Sequence, residues 1–421
     1  MKKLFFALLC VLLTAGFAFA VDVDLKGMYE ARGSYINNSG GLGTDDDDGS
    51  WDYFYFDHEL DLTARLLVTD KTRVIVNFEI RDENWLAGNT DGSAENRDTD
   101  MDDNIEFKRV FSSHTFDAYG TVLDLGLMTG GAWMTGFADN ANGRYRVKVS
   151  QPTEFGPIIG IYEKNAELGA TSGVKDGEKD DYNAYYLAMV TKLGSFNLYP
   201  LLGYLDNSAA VLDQGSDGNE GLLFDFGVSA TFGDIGFEAE AQIQDWDSDV
   251  TDDYTLWGAY GNVWWNIGAG KIGLLGAYGN WDEDSGQGFG FGEDFTPTMF
   301  ITDWTGFGGT VDPTTVRAEY KSVALIQLYG SLALSEELSI YANGAYFAST
   351  TDDNPDGTDN FWKDADGYEI DAGLDWKLTD QVTYSILAAF GELTLDGDGK
   401  DANGGDPDSF ARVYHKFRID F

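Results

Sequence analysis

Two stretches of the chain carry basic side chains at alternating positions, one near residue 146 and the other at the C-terminus. The basic residues are Arg144, Arg146, Lys148, Arg412, Lys416 and Arg418. Because a β-strand directs alternate side chains to opposite faces, each stretch predicts a row of cations along one face of a strand. In a water-filled passage such rows would discriminate between ions and orient polar solutes. Alternatively, the cations pair with acidic side chains of neighbouring strands and simply fill a polar wall.

Acidic clusters at 45–48, 352–359 and 396–401 raise the question of calcium binding. An EF-hand loop needs carboxylates at positions one, three and five and a glutamate at position twelve. Counted from Asp396, those last two positions are Lys400 and Pro407, so the pattern fails. We therefore expect no metal site and no cofactor, although divalent cations could bind loosely at these loops. Such runs are more often simply solvated.

The sequence offers little for catalysis. His58, His114 and His415 are far apart, and no nucleophile motif, phosphate-binding loop or metal signature is present. Cys10 falls in a segment that we expect to be removed, which leaves no cysteine for disulfides, thiolate ligands or catalysis. We therefore expect that the protein is not an enzyme and that it has no catalytic residues.

The N-terminus reads as a secretory signal peptide spanning 1–20. Lys2 and Lys3 precede an apolar stretch at 4–13, and small residues at 18–20 form a cleavage site. The remainder, 21–421, is predicted to be one domain. No later segment has the roughly 20 apolar residues that a membrane helix needs. A soluble exported β-protein and a transmembrane β-barrel remain as alternatives, and the abundant glycine and aromatic residues favour the barrel.

The alternating segments predict strands that form hairpins. A first strand near 23–37 and a last near 410–421 flank eight hairpins, which gives about 18 strands, with 16 as the alternative. The predicted hairpins are 54–68/72–82, 105–117/119–129, 143–151/157–164, 183–193/195–205, 221–232/235–245, 254–267/271–281, 316–334/338–350 and 367–378/382–394. Short turns alternate with long segments, as in outer-membrane barrels, whose turns face the periplasm and whose loops face outside.

The net charge of −45 is concentrated in the long segments. Most of the acidic residues lie there, whereas the basic residues in them are Arg97, Lys175, Lys179, Lys363 and Lys400. We therefore predict an anionic extracellular mouth that concentrates cations. A surface of this sign argues against nucleic-acid binding.

The alternation also assigns faces within each strand. Apolar residues such as Leu62 and Phe226 would face lipid, because a charged side chain there costs about 2–4 kcal/mol near the bilayer centre. The predicted pore-lining residues are Arg32, Arg65, Arg73, Arg81, Arg144, Arg146, Lys148, Glu238, Glu240, Asp371, Arg412, Lys416 and Arg418.

The long segment 130–142 differs from the others because it is glycine-rich and apolar. Trp133, Met134, Phe137 and Asp139 make it a candidate constriction loop that folds into the barrel. The longest segment, 282–315, is also aromatic and is a second candidate, as a plug or a contact between subunits. Either could instead be a self-packed surface cap.

These features resemble Gram-negative outer-membrane porins. The resemblance covers the mature chain as architecture and is strongest at 78–85, 105–110 and 125–128, which resemble porins of anaerobic sulfate- and metal-reducing bacteria. It implies a C-terminal strand recognised by the barrel-assembly machinery through Phe417, Ile419 and Phe421. It also implies a homotrimer in outer-membrane lipid, with a third loop that narrows the pore. The acidic motif of that loop in enteric porins is absent here, so the ion selectivity of enteric porins does not apply to this chain.

We therefore expect a water-filled channel for passive diffusion of small hydrophilic solutes and ions. One alternative is a substrate-specific channel for sugars or oligosaccharides, with stacked aromatic residues as a sliding track. The other is a plugged barrel that acts as a surface structural or binding protein.

Overall fold

The strands of a computed structural model of the chain form one closed antiparallel barrel. It describes residues 21–38, 51–82, 105–130, 133–138, 143–167, 181–207, 219–248, 252–292, 295–298, 322–353, 363–394 and 408–421. The predicted signal peptide, Asp139 and most of the acidic clusters lie outside these ranges. No helix long and apolar enough to cross a bilayer occurs in the described part of the chain.

Twenty-one strands are present among the described residues. They are β1 (Asp22–Asn38), β2 (Trp51–Leu67), β3 (Thr72–Asp82), β4 (Ile105–Thr115), β5 (Val122–Thr129), β6 (Gly143–Gln151), β7 (Ile158–Glu167), β8 (Asp181–Met189), β9 (Thr191–Leu193), β10 (Phe196–Asn207), β11 (Asn219–Phe232), β12 (Ile235–Ser248), β13 (Tyr254–Ile267), β14 (Gly270–Gly279), β15 (Trp281–Asp282), β16 (Gln287–Gly288), β17 (Val323–Ala333), β18 (Leu338–Ser349), β19 (Asp366–Lys377), β20 (Val382–Thr394) and β21 (Asp408–Asp420).

The barrel has 18 strands, which confirms the predicted number. β8 and β9 both pair with β10 and form one barrel strand that is interrupted at Val190. β15 and β16 form a separate small hairpin within the segment that joins β14 to β17. Each barrel strand pairs with its sequence neighbours, and β21 pairs with β1 to close the ring.

Short turns define one rim of the barrel, here called the turn rim, and the long segments define the opposite loop rim. Three turns of two residues begin with Gly194, Gly233 and Gly268, whose φ angles are +62°, +61° and +59°. A hairpin turn of type II′ needs a positive φ at its first central residue, which glycine adopts without strain. These glycines therefore fix the register of their hairpins.

Two predicted boundaries are wrong. The connection between β4 and β5 spans 116–121 instead of residue 118 alone, because Phe116 N bonds Thr121 O and Gly120 N bonds Phe116 O in a tight turn. The strand predicted to begin at 316 begins at Val323, because Ser322 is a bend with a φ angle of +73°; 316–321 lie outside the described residues. The other predicted strands coincide with observed ones within a few residues.

Polarity in the barrel is reversed relative to a soluble protein. Large apolar side chains such as Leu222, Phe224 and Ile370 are exposed on the outer face. Charged side chains such as Glu163 and Glu369 are buried on the inner face. This pattern suits a barrel whose outer face contacts lipid.

The inner wall is not polar throughout. Leu256, Leu275 and Leu325 face inward on β13, β14 and β17 and are buried together in an apolar cluster. They are covered from inside the barrel by side chains of two long segments. The cluster explains how apolar residues can face inward without contacting water.

Candidate functional site

The segment that joins β5 to β6 enters the barrel and contacts the inner face of strands as far around the ring as β12. The indole Nε1 of Trp133 donates to the carbonyl of Tyr199 on β10 at 2.8 Å. The backbone N–H of Thr135 donates to Glu240 on β12 at 2.9 Å, and its hydroxyl donates to the same carboxylate oxygen. Because β12 lies six barrel strands from β5, the segment must pass through the interior to reach it.

A glycine on the wall makes room for this crossing. Met134 packs against Gly227 of β11, where a side chain would collide with the methionine Cβ at 2.9 Å and Cγ at 3.0 Å. Trp133 covers a second apolar patch formed by Ile159, Ala188 and Leu201. The described residues 133–138 therefore lie against the inner face of β7 to β13.

An aromatic cluster joins this segment to the longest one. Phe137 has no exposed surface and stacks on Tyr260 and Phe289 at centroid distances of 5.7 and 5.6 Å. Phe291 and Phe295 approach it at 5.3 and 5.6 Å. The N–H of Gly292 also donates to the carbonyl of Phe137 at 2.8 Å. The described residues 133–138 and 289–295 of the two segments, apart from 293–294, thus meet inside the barrel and pack together.

The remaining inner wall is charged. On β6, Arg144 Nη1 donates to Glu163 Oε1 at 2.7 Å and Arg146 Nε donates to Glu163 Oε2 at 2.5 Å. Arg146 also donates to the carbonyl of Thr129 at 2.9 Å and to that of Gly130. The buried Glu163 carboxylate therefore holds two predicted pore-lining cations and, through Arg146, the start of the crossing segment.

A second charged group lies where the barrel closes. Glu30 on β1 forms salt bridges with Lys416 at 3.3 Å and Arg418 at 3.2 Å on β21, and with Arg32 at 3.9 Å. Arg32 also contacts Glu59 on β2 at 3.4 Å. Arg412 donates to the Ser34 hydroxyl at 3.0 Å. The C-terminal basic row thus has acidic partners on the neighbouring strands.

The other predicted lining residues have separate contacts. Arg65 lies 3.9 Å from Asp24, and Lys148 lies 3.9 Å from Asp124. Asp371 accepts from Asn343 at 2.9 Å. Glu238 accepts from the Tyr260 hydroxyl at 2.6 Å and from Asn262 at 3.2 Å. Arg73 occupies the register position opposite Ser113, and the side chain of Arg81 lies outside the described part.

Two buried carboxylates of the inner wall, Asp225 and Glu163, were missed from the sequence. Asp225 accepts from Gln242 at 2.9 Å beside Glu240. Glu163 was missed because its strand carries apolar residues on both faces, so the alternation does not show which side chains point into the barrel. Glu163 lies directly opposite Arg146 in the pairing of β6 with β7. A search for a carboxylate opposite the arginine row would therefore have identified it.

At the loop rim, part of one acidic cluster has a basic partner. Lys363 contacts Asp353 at 2.6 Å and Asp352 at 3.2 Å. The N–H of Asp353 and the Lys363 ammonium lower the pKa of the Asp352 carboxyl, and both carboxylates raise the pKa of Lys363. No group of three or more metal-ligating side chains occurs in the described ranges.

The three histidines do not converge. His58 lies near Tyr29, His114 contacts Thr72 and Phe116, and His415 packs on Phe56. The contact of His114 joins its Nδ1 to the Thr72 hydroxyl at 2.8 Å.

The barrel is similar to solved structures of outer-membrane porins from Gram-negative bacteria. OccK2 (OpdF) of Pseudomonas aeruginosa gives a TM-score of 0.54 at 8% identity over 94% of this chain and 98% of that chain. OccAB1 of Acinetobacter baumannii gives 0.55 at 12% identity over 94% and 97%. OpdK, an outer membrane protein of Pseudomonas aeruginosa, gives 0.50 at 11% identity over 94% and 99%.

No protein-family model matches the chain, and no curated protein sequence matches it. At these identities the likeness shows the fold. It confirms the predicted architecture, a transmembrane antiparallel barrel of the kind found in the outer membrane.

Proposed function

We propose that the chain forms a water-filled channel in the outer membrane for passive diffusion of small hydrophilic solutes and ions. The observation that carries this proposal is the placement of the two crossing segments. Their described residues pack on the inner faces of β7 to β18, whereas Glu30, Arg32 and Lys416 lie on the sector around β1 and β21. An opening beside this charged sector would be polar and wet.

The positions of Phe137 and Trp133 inside the barrel support a constriction of the channel at the height of these two residues. Both are held by the inner wall, Phe137 by stacking on Tyr260 of β13 and Trp133 by a hydrogen bond to Tyr199 of β10. The passage would then be narrowed on one side by aromatic residues and bordered on the other by charges. A transverse arrangement of this kind orients polar solutes as they pass.

The fold suggests the orientation of the channel. The turn rim and both ends of the mature chain would face the periplasm, and the long segments would face outside. The acidic composition of those segments would make the outer mouth anionic, and this effect should weaken as salt rises.

A substrate-specific channel is the second candidate. It is favoured by the aromatic residues that line the interior and by the solutes found in similar structures. OccK2 of Pseudomonas aeruginosa has been solved in complex with glucuronate and OpdK with vanillate. For this chain, a specific channel would show current that its solute blocks at low concentration.

Planar-bilayer recording of the purified chain separates these candidates. A diffusion channel gives discrete conductance steps and a reversal potential in a salt gradient, with little block by individual solutes. A plugged barrel gives no steps, and that result would overturn the proposal. A cation preference that increases at low salt would support the anionic mouth, whereas anion preference at low salt would contradict it.

Assembly as a homotrimer, with delivery by the barrel-assembly machinery, belongs to the same proposal. The resemblance to porins supports both. Cross-linking of the purified protein in mild detergent would yield a species of three chains, and a single-chain species alone would remove the trimer from the proposal.

A further inference from the structure

Two aromatic rings pack against glycines of the inner wall near the turn rim. The ring of Trp264 on β13 occupies the space where a side chain of Gly236 would stand, and the ring of Tyr329 on β17 does the same at Gly273. Glycine permits this close approach because it has no Cβ. Atoms of each ring therefore lie directly against the backbone of a neighbouring strand, and both side chains are partly exposed.

Lys271 on β14 lies between these rings. Its Nζ is 4.8 Å from the ring centre of Trp264 and 5.3 Å from that of Tyr329, within the range in which a cation is attracted to a ring face. In the described part of the chain no carboxylate lies within salt-bridge distance of Lys271. Arg144 and Arg146, by contrast, share the buried Glu163.

Hydrogen bonds fix the position of the tyrosine ring. The hydroxyl of Tyr329 donates to Asn262 Oδ1 at 2.9 Å, and Asn262 Nδ2 donates to Glu238 at 3.2 Å. The Tyr260 hydroxyl donates to the same Glu238 oxygen at 2.6 Å. Glu238 is the acidic group joined to this site, and its Oε1 already accepts two hydrogen bonds.

We propose that Trp264, Lys271 and Tyr329 form a binding site for solutes that carry an oxyanion on a flat ring. The ammonium of Lys271 pairs with the oxyanion, while the ring of the solute packs beside the partly exposed rings of Trp264 and Tyr329. The site rests on the proposed channel function. It would be a second place, besides the constriction, at which the channel distinguishes between solutes. Tyr329 packs against the edge of the aromatic cluster, and the site extends from there toward the turn rim, because Trp264 lies four residues beyond Tyr260, about 13 Å along the strand.

Benzenesulfonate is a suitable probe because it stays ionised over the whole working range of pH. In planar bilayers it should interrupt the ion current of the wild-type channel, and current-noise analysis gives its half-blocking concentration. Lys271→Gln should raise that concentration about tenfold, since it removes the charged partner but keeps a polar side chain. Glu238→Gln should lower it, because it removes the acidic group joined to the site.

Lys192 supplies a matched control. It is an exposed lysine on β9, also close to the turn rim, and no aromatic ring of the described residues lies over it. Lys192→Gln should leave the half-blocking concentration unchanged. Methanesulfonate, which lacks the ring, should block at least about tenfold more weakly than benzenesulfonate. Equal block of wild type and Lys271→Gln, or equal block by both sulfonates, overturns the site.

The site and the channel fail in different ways. If the purified chain gives conductance steps, and benzenesulfonate blocks wild type and Lys271→Gln equally, the channel proposal stands and the site is wrong. If it gives no steps, the channel proposal fails, and calorimetric titration of the detergent-solubilised chain with benzenesulfonate still tests the site. Binding to the wild type that Lys271→Gln weakens would then support it, and equal binding would refute it.

Discussion

At the scale of single residues, the inner wall is organised around buried carboxylates that each hold several cations. Glu163 holds Arg144 and Arg146, and Glu30 holds Lys416 and Arg418. A row of alternating arginines in the sequence therefore does not mean a row of free positive charges. The charge that a solute meets depends on these shared partners.

Replacement of Glu163 by glutamine should make the channel more selective for anions. The change removes a fully buried negative charge and leaves both arginines beside the lumen, so the reversal potential in a salt gradient should shift toward the anion value. Loss of one member of a buried ion pair also costs about 3–5 kcal/mol of stability. Urea unfolding of the purified barrel measures that cost.

Asp124→Asn is the control for this prediction. It removes the same charge near Lys148, but the pair is longer, at 3.9 Å, and Lys148 is partly exposed. Asp124→Asn should shift the reversal potential with little loss of stability. An unchanged reversal potential in Glu163→Gln would show that its arginines do not face permeating ions.

The carboxyl of Asp352 should titrate below the ordinary aspartate range. Its pKa is lowered by the Asp353 N–H and by Lys363, so the contribution of the contact to stability is present at neutral pH and is lost as the pH falls through the lowered pKa. Lys363→Ala should raise the pKa of Asp352, which carbon-13 NMR of labelled aspartate would detect. An unaltered titration, matching that of Lys192→Ala, would contradict the pairing.

At the scale of elements, two long segments give up contact with water to pack inside the barrel. Their aromatic residues explain this placement, because burial of a large ring stabilises by about 1.5–3 kcal/mol relative to its exposure. Phe137 is central because it contacts both the wall and the other segment. The two segments are therefore expected to hold each other in place.

Phe137→Ala should increase the conductance and the current noise of the open channel. The change removes a fully buried ring and opens a cavity between the segments, which costs about 3–5 kcal/mol in a well-packed core. Single-channel recording in planar bilayers measures both quantities. Phe155→Ala, in an exposed turn, should leave them as in the wild type, and an equal effect of the two changes would exclude a special role for Phe137.

The sequence predicted most elements because alternation and turn glycines act locally. The strand at 254–267 was predicted with its observed bounds, since Gly268 stops it sharply. The turn at 116–121 was missed because Phe116 and Tyr119 are residues that strands favour. Inward packing of Trp133 and Phe137 could be suspected from their apolar setting, but their partners lie on strands more than 60 residues away. Such contacts depend on the closed ring and leave no local signature.

At the scale of the whole molecule, the contact between the first and last strands closes the barrel. Gly27 N donates to the carbonyl of Phe421 at 2.7 Å, and Phe421 N donates to that of Gly27 at 3.0 Å. The ring of Phe421 fills the space that Gly27 leaves empty, 2.6 Å from the position of an absent Cβ. The final residue is thus part of the wall, and its predicted role as an assembly signal is a separate matter.

Phe421→Ala should reduce the fraction of closed barrel, because the seam, the contact between β1 and β21, loses the phenylalanine ring that packs against Gly27. Heat-modifiable mobility on gels measures this fraction, both in cells and after refolding of the purified chain into detergent. A defect in both settings would indicate packing, and a defect in cells alone would indicate recognition by the assembly machinery. Val68→Ala, an exposed residue of a turn, serves as the control, and normal closure of Phe421→Ala in both settings would contradict the prediction.

The seam also sets an order of events for the growing barrel. The contact between Glu30 and Arg418 joins residues 388 positions apart, whereas every other pairing of barrel strands joins sequence neighbours. Closing so long a loop is entropically the most expensive pairing, and β1 has no second partner until the last residues have arrived. Synthesis and export of the whole chain must therefore precede closure, and until then both edge strands need protection from pairing with other chains.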